Sequence, residues 1–314
     1  INSAIWWDEG DYLSYARRLA FDIPTNDLWY YRRVFFIPLF WAFLYKIGFQ
    51  ELGLRIFQLL FSFAVVIGIY LLTKEIFNKK TALITTFLYS TYWVHLFFTA
   101  RLLTDVPTVT FTIFGLYYFW KGYINKSDNK HIYISAVLLG LGIFTKLSTL
   151  FYMIPLVILI LTKEKQKVIK NKQLWIFTGI IVLILLPFVI TVFQHYPENP
   201  ITSFIGHYTG IKAFAGSEET TPRTFAQVIT QFKDLSYHLK TPLLILFILS
   251  ISYFLDLIIQ PYKIFKDENL KKKLFILLSI IIPTTIFGYI RFYIEQRDLM
   301  IVIVFIFMII SHLL

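Results

Sequence analysis

Apolar positions along this chain gather into long blocks instead of alternating with polar ones. Nearly unbroken apolar runs occupy residues 52–73, 81–98, 106–122, 132–144, 148–162, 174–193, 241–260, 274–290 and 299–314. A bilayer hydrocarbon core of about 30 Å takes about 20 residues of helix to cross, so most of these blocks approach spanning length, while the two arms 132–144 and 148–162 are short. The pattern predicts an all-α fold: a polytopic transmembrane helix bundle with about nine spans. Two shorter elements precede them. Tyr12, Tyr15, Ala16, Leu19 and Ala20 recur at helical spacing and predict an amphipathic helix with one apolar face. The run 34–49, with Pro38 and many aromatics, reads as an interfacial or re-entrant helix.

Composition agrees with a membrane setting. The 314 residues are 57% hydrophobic and 16% charged, where soluble domains average about 25% charged. There is no cysteine, which excludes disulfides, thiolate metal sites and cysteine nucleophiles. The net charge of +11 could suggest nucleic acid, but the distribution of lysine argues against it. Four linkers, Lys74 to Lys80, Lys121 to Lys130, Lys163 to Lys172 and Lys263 to Lys273, hold 16 of the 30 basic residues. All fall on one side of the membrane by span counting, and the positive-inside rule makes that side cytoplasmic. The lysines thus read as a topogenic signal and a match to anionic headgroups, with no nucleic-acid partner. The chain lacks an initiator Met and stops inside an apolar run, so it is read as a fragment or processed product. The predicted organisation is a first extracytoplasmic loop (1–51), a transmembrane core (52–193), an extracytoplasmic loop (194–240) and C-terminal spans (241–314).

Candidate chemistry lies on the side opposite the lysines. Asp8, Glu9 and Asp11 crowd the start of the amphipathic helix, either as an acidic cap or as a reactive cluster held at the membrane surface. Arg101 and Asp105 share a short turn before Pro107, where they either pair locally at i, i+4 or present a carboxylate and a guanidinium at the bundle mouth. Lys146 interrupts the apolar stretch 132–162. Two spans turning at Phe144-Thr145-Lys146 would make it a sunken outward-facing cation. A charge at that depth costs a few kcal/mol and marks a functional site by default, unless it is a lysine snorkelling from a helix end. Arg297 belongs to a further charged turn, and arginine suits planar phosphate recognition. The irregular spacing of His195, His207 and His238 does not suggest zinc.

The ordered set of motifs resembles the GT-C glycosyltransferases, specifically the dolichyl-phosphate-mannose–protein mannosyltransferase-like family and the related lipid A aminoarabinose transferases. The resemblance rests on Asp8-Glu9-Gly10-Asp11-Tyr12 ahead of an amphipathic helix and on a Pro38-centred segment. It rests also on Arg101-x-x-Thr104-Asp105-x-Pro107 and on the Gly140-to-Lys146 stretch. It implies an inverting hexosyl or pentosyl transfer from a polyprenyl-phosphate-linked sugar to a protein, lipid or glycan acceptor, on the extracytoplasmic face of a plasma or cytoplasmic membrane, or of the ER in a eukaryote. Asp8 would be the base, and Glu9 would orient the acceptor or a metal. Tyr12 would line the substrate site, Arg101, Lys146 and Arg297 would meet the phosphate, and Asp105 would hold Arg101 or the sugar. Asp8, Glu9 and Asp105 could together ligate a divalent Mg or Mn ion. A transporter or lipid-linked sugar flippase is the competing reading, and a non-catalytic membrane scaffold the third.

Overall fold

The computed structural model describes residues 7–23, 33–126, 128–195, 239–290 and 296–314; among them every regular element is helical. Most of the 194–240 loop, with His207 and His238, lies outside the described residues. The order is α1 (Trp7–Phe21), α2 (Phe36–Lys46), α3 (Glu51–Ile76), α4 (Lys79–Ser90), α5 (Trp93–Phe98), α6 (Asp105–Phe119), α7 (Asn129–Thr145), α8 (Leu150–Glu164), α9 (Lys172–His195), α10 (Leu239–Ile259), α11 (Glu268–Ile290) and α12 (Met300–Leu313). Four of these segments, α3, Leu147–Lys170, α9 and α10, are long and apolar enough to cross a membrane. Large apolar side chains such as Leu52, Phe63, Ile67 and Leu183 stand exposed on them, as expected of surfaces solvated by lipid.

One predicted span is two helices. The run 81–98 breaks between Ser90 and Trp93, where Tyr92 is extended and the hydroxyls of Ser90 and Thr91 donate to the Phe87 carbonyl. Thr91 also donates to the Leu88 carbonyl, so these hydroxyls serve carbonyls of the last turn of α4. The turn expected at Lys146 is present. α7 ends at Thr145 and Lys146 adopts φ −155°, ψ 125°. A single 3₁₀ turn, Leu147–Thr149, then starts the chain back as α8.

The lysine linkers meet at one end of the bundle. Asn125 donates to Glu75 at 2.8 Å, Lys163 to the Tyr123 carbonyl at 2.7 Å, and Lys272 to the Ile76 carbonyl at 3.2 Å. Asp256, an acid within the apolar run 241–260, pairs with Lys273 at this same end. From there α6 and its π-helical continuation Trp120–Lys126 rise about 30 Å at 1.5 Å per residue to Asp105. The candidate chemistry therefore sits a bilayer thickness away from the lysines.

Close helix approach keeps α6, α7 and α9 together. Ser135 of α7 donates to the Gly115 carbonyl of α6 at 2.7 Å, and a Cβ at Gly115 would lie 2.6 Å from Leu139 Cγ and 3.2 Å from the Leu139 backbone nitrogen. Small residues at such crossings are how membrane helices gain packing without a hydrophobic drive. Gly115→Ala is expected to destabilise the protein by about 1–3 kcal/mol through overpacking. Gly179, whose added Cβ meets nothing within 4 Å, should tolerate alanine. Thermal unfolding in detergent checks both, and equal midpoints for the two variants would contradict the crossing.

Candidate active site

The site begins with how α1 is held. Leu13 and Ala16 pack with Ile37, Trp41 and Leu44 of α2, Leu54 of α3 and Leu102, while Tyr15 joins Phe144, Phe188 and Val192. The buried stripe of α1 runs through Glu9, Leu13, Tyr15 and Ala16, and Tyr12, Leu19 and Ala20 pack beside it, so the expected apolar face turns inward and widens to take in Leu13 and the acid Glu9. An acid on the buried face must be paired. Glu9 is fully buried, and both its oxygens are engaged. Oε1 accepts from the Leu102 N–H at 2.7 Å and lies 3.6 Å from Arg55 Nη1; Oε2 accepts from Arg101 Nη1 at 3.3 Å. Glu9 therefore cannot also orient an acceptor or ligate a metal in this arrangement, contrary to the expectation for it. Arg101 meets Glu9, and it also lies over the Phe97 ring at 5.2 Å.

Asp8, one residue earlier, points the other way. Its carboxylate accepts from Arg297 Nη2 at 2.7 Å and is 32% exposed, against 3% for Asp105 and none for Glu9 and Asp298. Arg297 Nη1 also lies 3.8 Å from Asp105. Asp105, the first residue of α6, accepts from Lys146 Nζ at 2.8 Å, and Lys146 donates in addition to Asp298 at 3.0 Å. Lys146 is thus clamped between two carboxylates and does not snorkel, and Asp105 holds Lys146 and Arg297 in place of Arg101. Tyr12 is hydrogen-bonded with Thr104 beside this cluster. The structure thus gathers Asp8, Tyr12, Asp105, Lys146 and Arg297 on one side of α1, with Glu9 and Arg101 on the other.

Sequence reasoning passed over Asp298 and Arg55. Asp298 stands two residues before α12, whose stretch Met300–Ile310 is wholly apolar, a placement that buries its carboxylate at a helix end. Arg55 lies one turn from Glu51 on α3 and pairs with it at 2.7 Å.

The turn at Lys146 is fixed by its neighbours. Thr112 of α6 and Thr149 share a hydrogen bond at 3.1 Å, and a Cβ at Gly142 would come within 3.2–3.3 Å of these same threonines. Lys146 and Asp105 lie at helix ends, outside the spanning segments. Burial acts to lower the pKa of Lys146, but the Asp105 and Asp298 carboxylates outweigh it and hold it above the ordinary lysine value. Burial acts to raise that of Asp105, but Lys146 and Arg297 hold it below the usual carboxylate value. Burial raises the Tyr12 phenol, which stays protonated.

A narrow cleft lined by Asp105, Thr108, Lys146, Tyr152, Arg297 and Asp298 has room for about one water, about 10 Å³. The charges are thus closed onto one another. A wider apolar depression of about 580 Å³ along α7, lined by Tyr133, Ile134 and Val137, begins at the lysine end and carries none of these groups. Among the described residues no three His, Asp or Glu side chains converge to hold a metal. Asp8, Glu9 and Asp105 each face a guanidinium or ammonium instead. These residues do not fit the expected divalent ion.

Comparison with known proteins gives the family. The family described as dolichyl-phosphate-mannose-protein mannosyltransferase matches residues 33–191, just over half of the chain. The chain belongs to this family. No curated protein matches it by sequence. Its fold is similar to that of ArnT from Cupriavidus metallidurans in two crystal structures. The TM-score is 0.69 for the form bound to undecaprenyl phosphate and 0.64 for the apo form, at 14% identity in each. The similarity covers 98% of this chain and 55% of ArnT, so the chain spans about half the length of that protein. The mannosyltransferase family match includes Arg101, Asp105 and Lys146, while Asp8, Glu9 and Arg297 fall outside it and enter the site by geometry.

Replacing Lys146 by Met leaves two buried carboxylates facing each other without their ammonium, which should cost about 3–5 kcal/mol. The lysine contribution is present below its ordinary pKa of 10.5 and lost only as pH rises through the raised folded value. The Asp105 contribution is present above 3.8 and lost as pH falls through the depressed one. Neither group titrates in the wild type between about pH 5 and 9, but in Lys146→Met the facing carboxylates repel and take up a proton as pH falls, so the stability gap should be widest at the alkaline end of that window and narrow toward its acid end. A gap that widens as pH falls, measured by thermal unfolding, contradicts the clamp.

Proposed function

We propose that this protein is a membrane glycosyltransferase that moves a sugar from a polyprenyl-phosphate-linked donor to a hydroxyl acceptor. The observation that carries the reading is the placement of Asp8. It is more exposed than Glu9, Asp105 or Asp298, and it lies 2.7 Å from an arginine that also reaches toward the buried Lys146–Asp105 pair. A base for the acceptor and cations for a departing phosphate thus stand side by side. Family membership supports the same chemistry, as does the fold shared with a protein crystallised with undecaprenyl phosphate.

In the proposed reaction the acceptor oxygen attacks the anomeric carbon as Asp8 takes its proton. The bond from that carbon to the phosphate oxygen breaks with inversion, and the leaving phosphate keeps the electron pair. Arg297 and Lys146 neutralise the charge that develops there, while Asp105 keeps both cations in place. The oxocarbenium character of the transition state is stabilised by the nearby carboxylate. The lysine-rich end would face the cytoplasm and the reactive end the outer leaflet, which nucleotide sugars do not reach and a lipid-borne donor does. The sugar is a hexose or pentose, and the acceptor a protein, lipid or glycan.

The test is sugar transfer by the purified protein in nanodiscs with polyprenyl-phosphate donors. Asp8→Asn should lower kcat by roughly 10²–10⁴-fold with folding intact, and Lys146→Arg should chiefly raise the donor KM. Near-wild-type turnover by Asp8→Asn would remove that residue from the mechanism. Donor translocation without transfer would favour a flippase.

A further inference from the structure

We infer that Arg55, on α3, is a positioning residue for the site, the central pin of a buried latch that sets where α1 and the Arg101 turn stand. Its side chain is only 12% exposed, and its guanidinium makes three attachments. Nη1 donates to the Ala100 carbonyl at 2.8 Å and lies 3.6 Å from Glu9 Oε1. Nε and Nη2 both donate to Glu51 Oε1, at 3.3 and 2.7 Å. Glu51 lies one turn back on the same helix, so it fixes the direction of the guanidinium. The remaining two contacts then fix two elements foreign to α3. One is the first turn of α1, through Glu9. The other is the backbone directly before Arg101, through Ala100.

Glu9 closes the triangle by accepting from the Leu102 N–H and from Arg101, so α1, α3 and the turn 99–104 are joined by one set of charge-assisted bonds. Asp8 precedes Glu9 on α1 and faces the opposite way, to Arg297. A shift of Glu9 therefore displaces the proposed base by a similar amount. The same shift frees the turn that leads into Asp105, the partner of Lys146. Only a planar fork can make these attachments together; a lysine carries the charge but has a single nitrogen to place.

The inference deepens the glycosyl-transfer reading and rests on it for its kinetic arm, so the experiment has a second, structural arm. Arg55→Lys and Arg55→Met, made in the full chain, should each speed hydrogen exchange in a peptide covering residues 99–104 and in α1, with the rest of α3 little changed. Arg55→Lys should lower kcat per folded molecule roughly 10- to 100-fold and leave the donor KM near the wild-type value, because Arg55 does not face the donor. Glu9→Gln combined with Arg55→Met should be no worse than the worse single variant, since both open the same latch.

Unchanged exchange at 99–104 overturns the latch. A kcat per folded molecule that stays at the wild-type level shows a merely structural residue and overturns the positioning role. So does a donor KM that rises in step with the loss of turnover, which would make Arg55 a binding group, or full additivity with Glu9→Gln. If the wild-type protein transfers no sugar from any polyprenyl-phosphate donor, the glycosyl-transfer reading fails, and the exchange arm alone decides whether Arg55 pins α1 to the turn.

Discussion

An ammonium lodged between two buried carboxylates governs the reactive end of this bundle. Asp105 and Lys146 are 41 residues apart in sequence, and Lys146 and Asp298 are 152 apart. They come together because α6, the α7–α8 turn and the start of α12 all end at the same level. Each charge would be expensive to bury alone; together they oblige three helix ends to share one position. The Thr112–Thr149 hydrogen bond and the close fit at Gly142 keep the lysine at that level. α12 supports it from beneath as a helix buried on every face from Met300 to Ile310, the placement expected of a segment that is apolar all round.

Two adjacent acids on α1 divide between structure and chemistry because a helix turns about 100° per residue. Glu9 falls on the stripe with Leu13 and Ala16 and is drawn into the bundle with them. Asp8 falls off that stripe and stays accessible. The apolar contacts of α1 with α2, α3 and α7 position the helix, and Glu9 sets its rotation. Without that buried carboxylate, α1 could roll on a largely apolar surface and Asp8 would have no defined partner.

Much of this was legible before any coordinates. Apolar runs marked the helices, and the isolated Lys146 within residues 132–162 marked the hairpin, since a cation there needs a turn or a partner. The break after Ser90 was hidden because it is made by hydroxyls, which look innocuous in an apolar run. The inward direction of Glu9 was hidden for a related reason: reading only apolar positions for periodicity leaves out an acid that shares their stripe. Local spacing misled for Arg101 and Asp105. They sit at i, i+4, yet each has an oppositely charged partner from a distant helix, and sequence distance says nothing of such pairings. Asp298 and Arg55 were missed for that same reason.

The tight cleft around Lys146 has a thermodynamic consequence. With its cations already matched by its own acids, the site offers an arriving anion no surplus positive field. On the proposed reading, a lipid phosphate enters by exchange, taking the place of a carboxylate that must swing aside or be rehydrated. Affinity then measures the difference between two pairings instead of the strength of one. A group with several charged oxygens can win such a trade, whereas a singly charged acid or a neutral glycolipid gains little from it, so selectivity for the carrier headgroup would be built into the resting state.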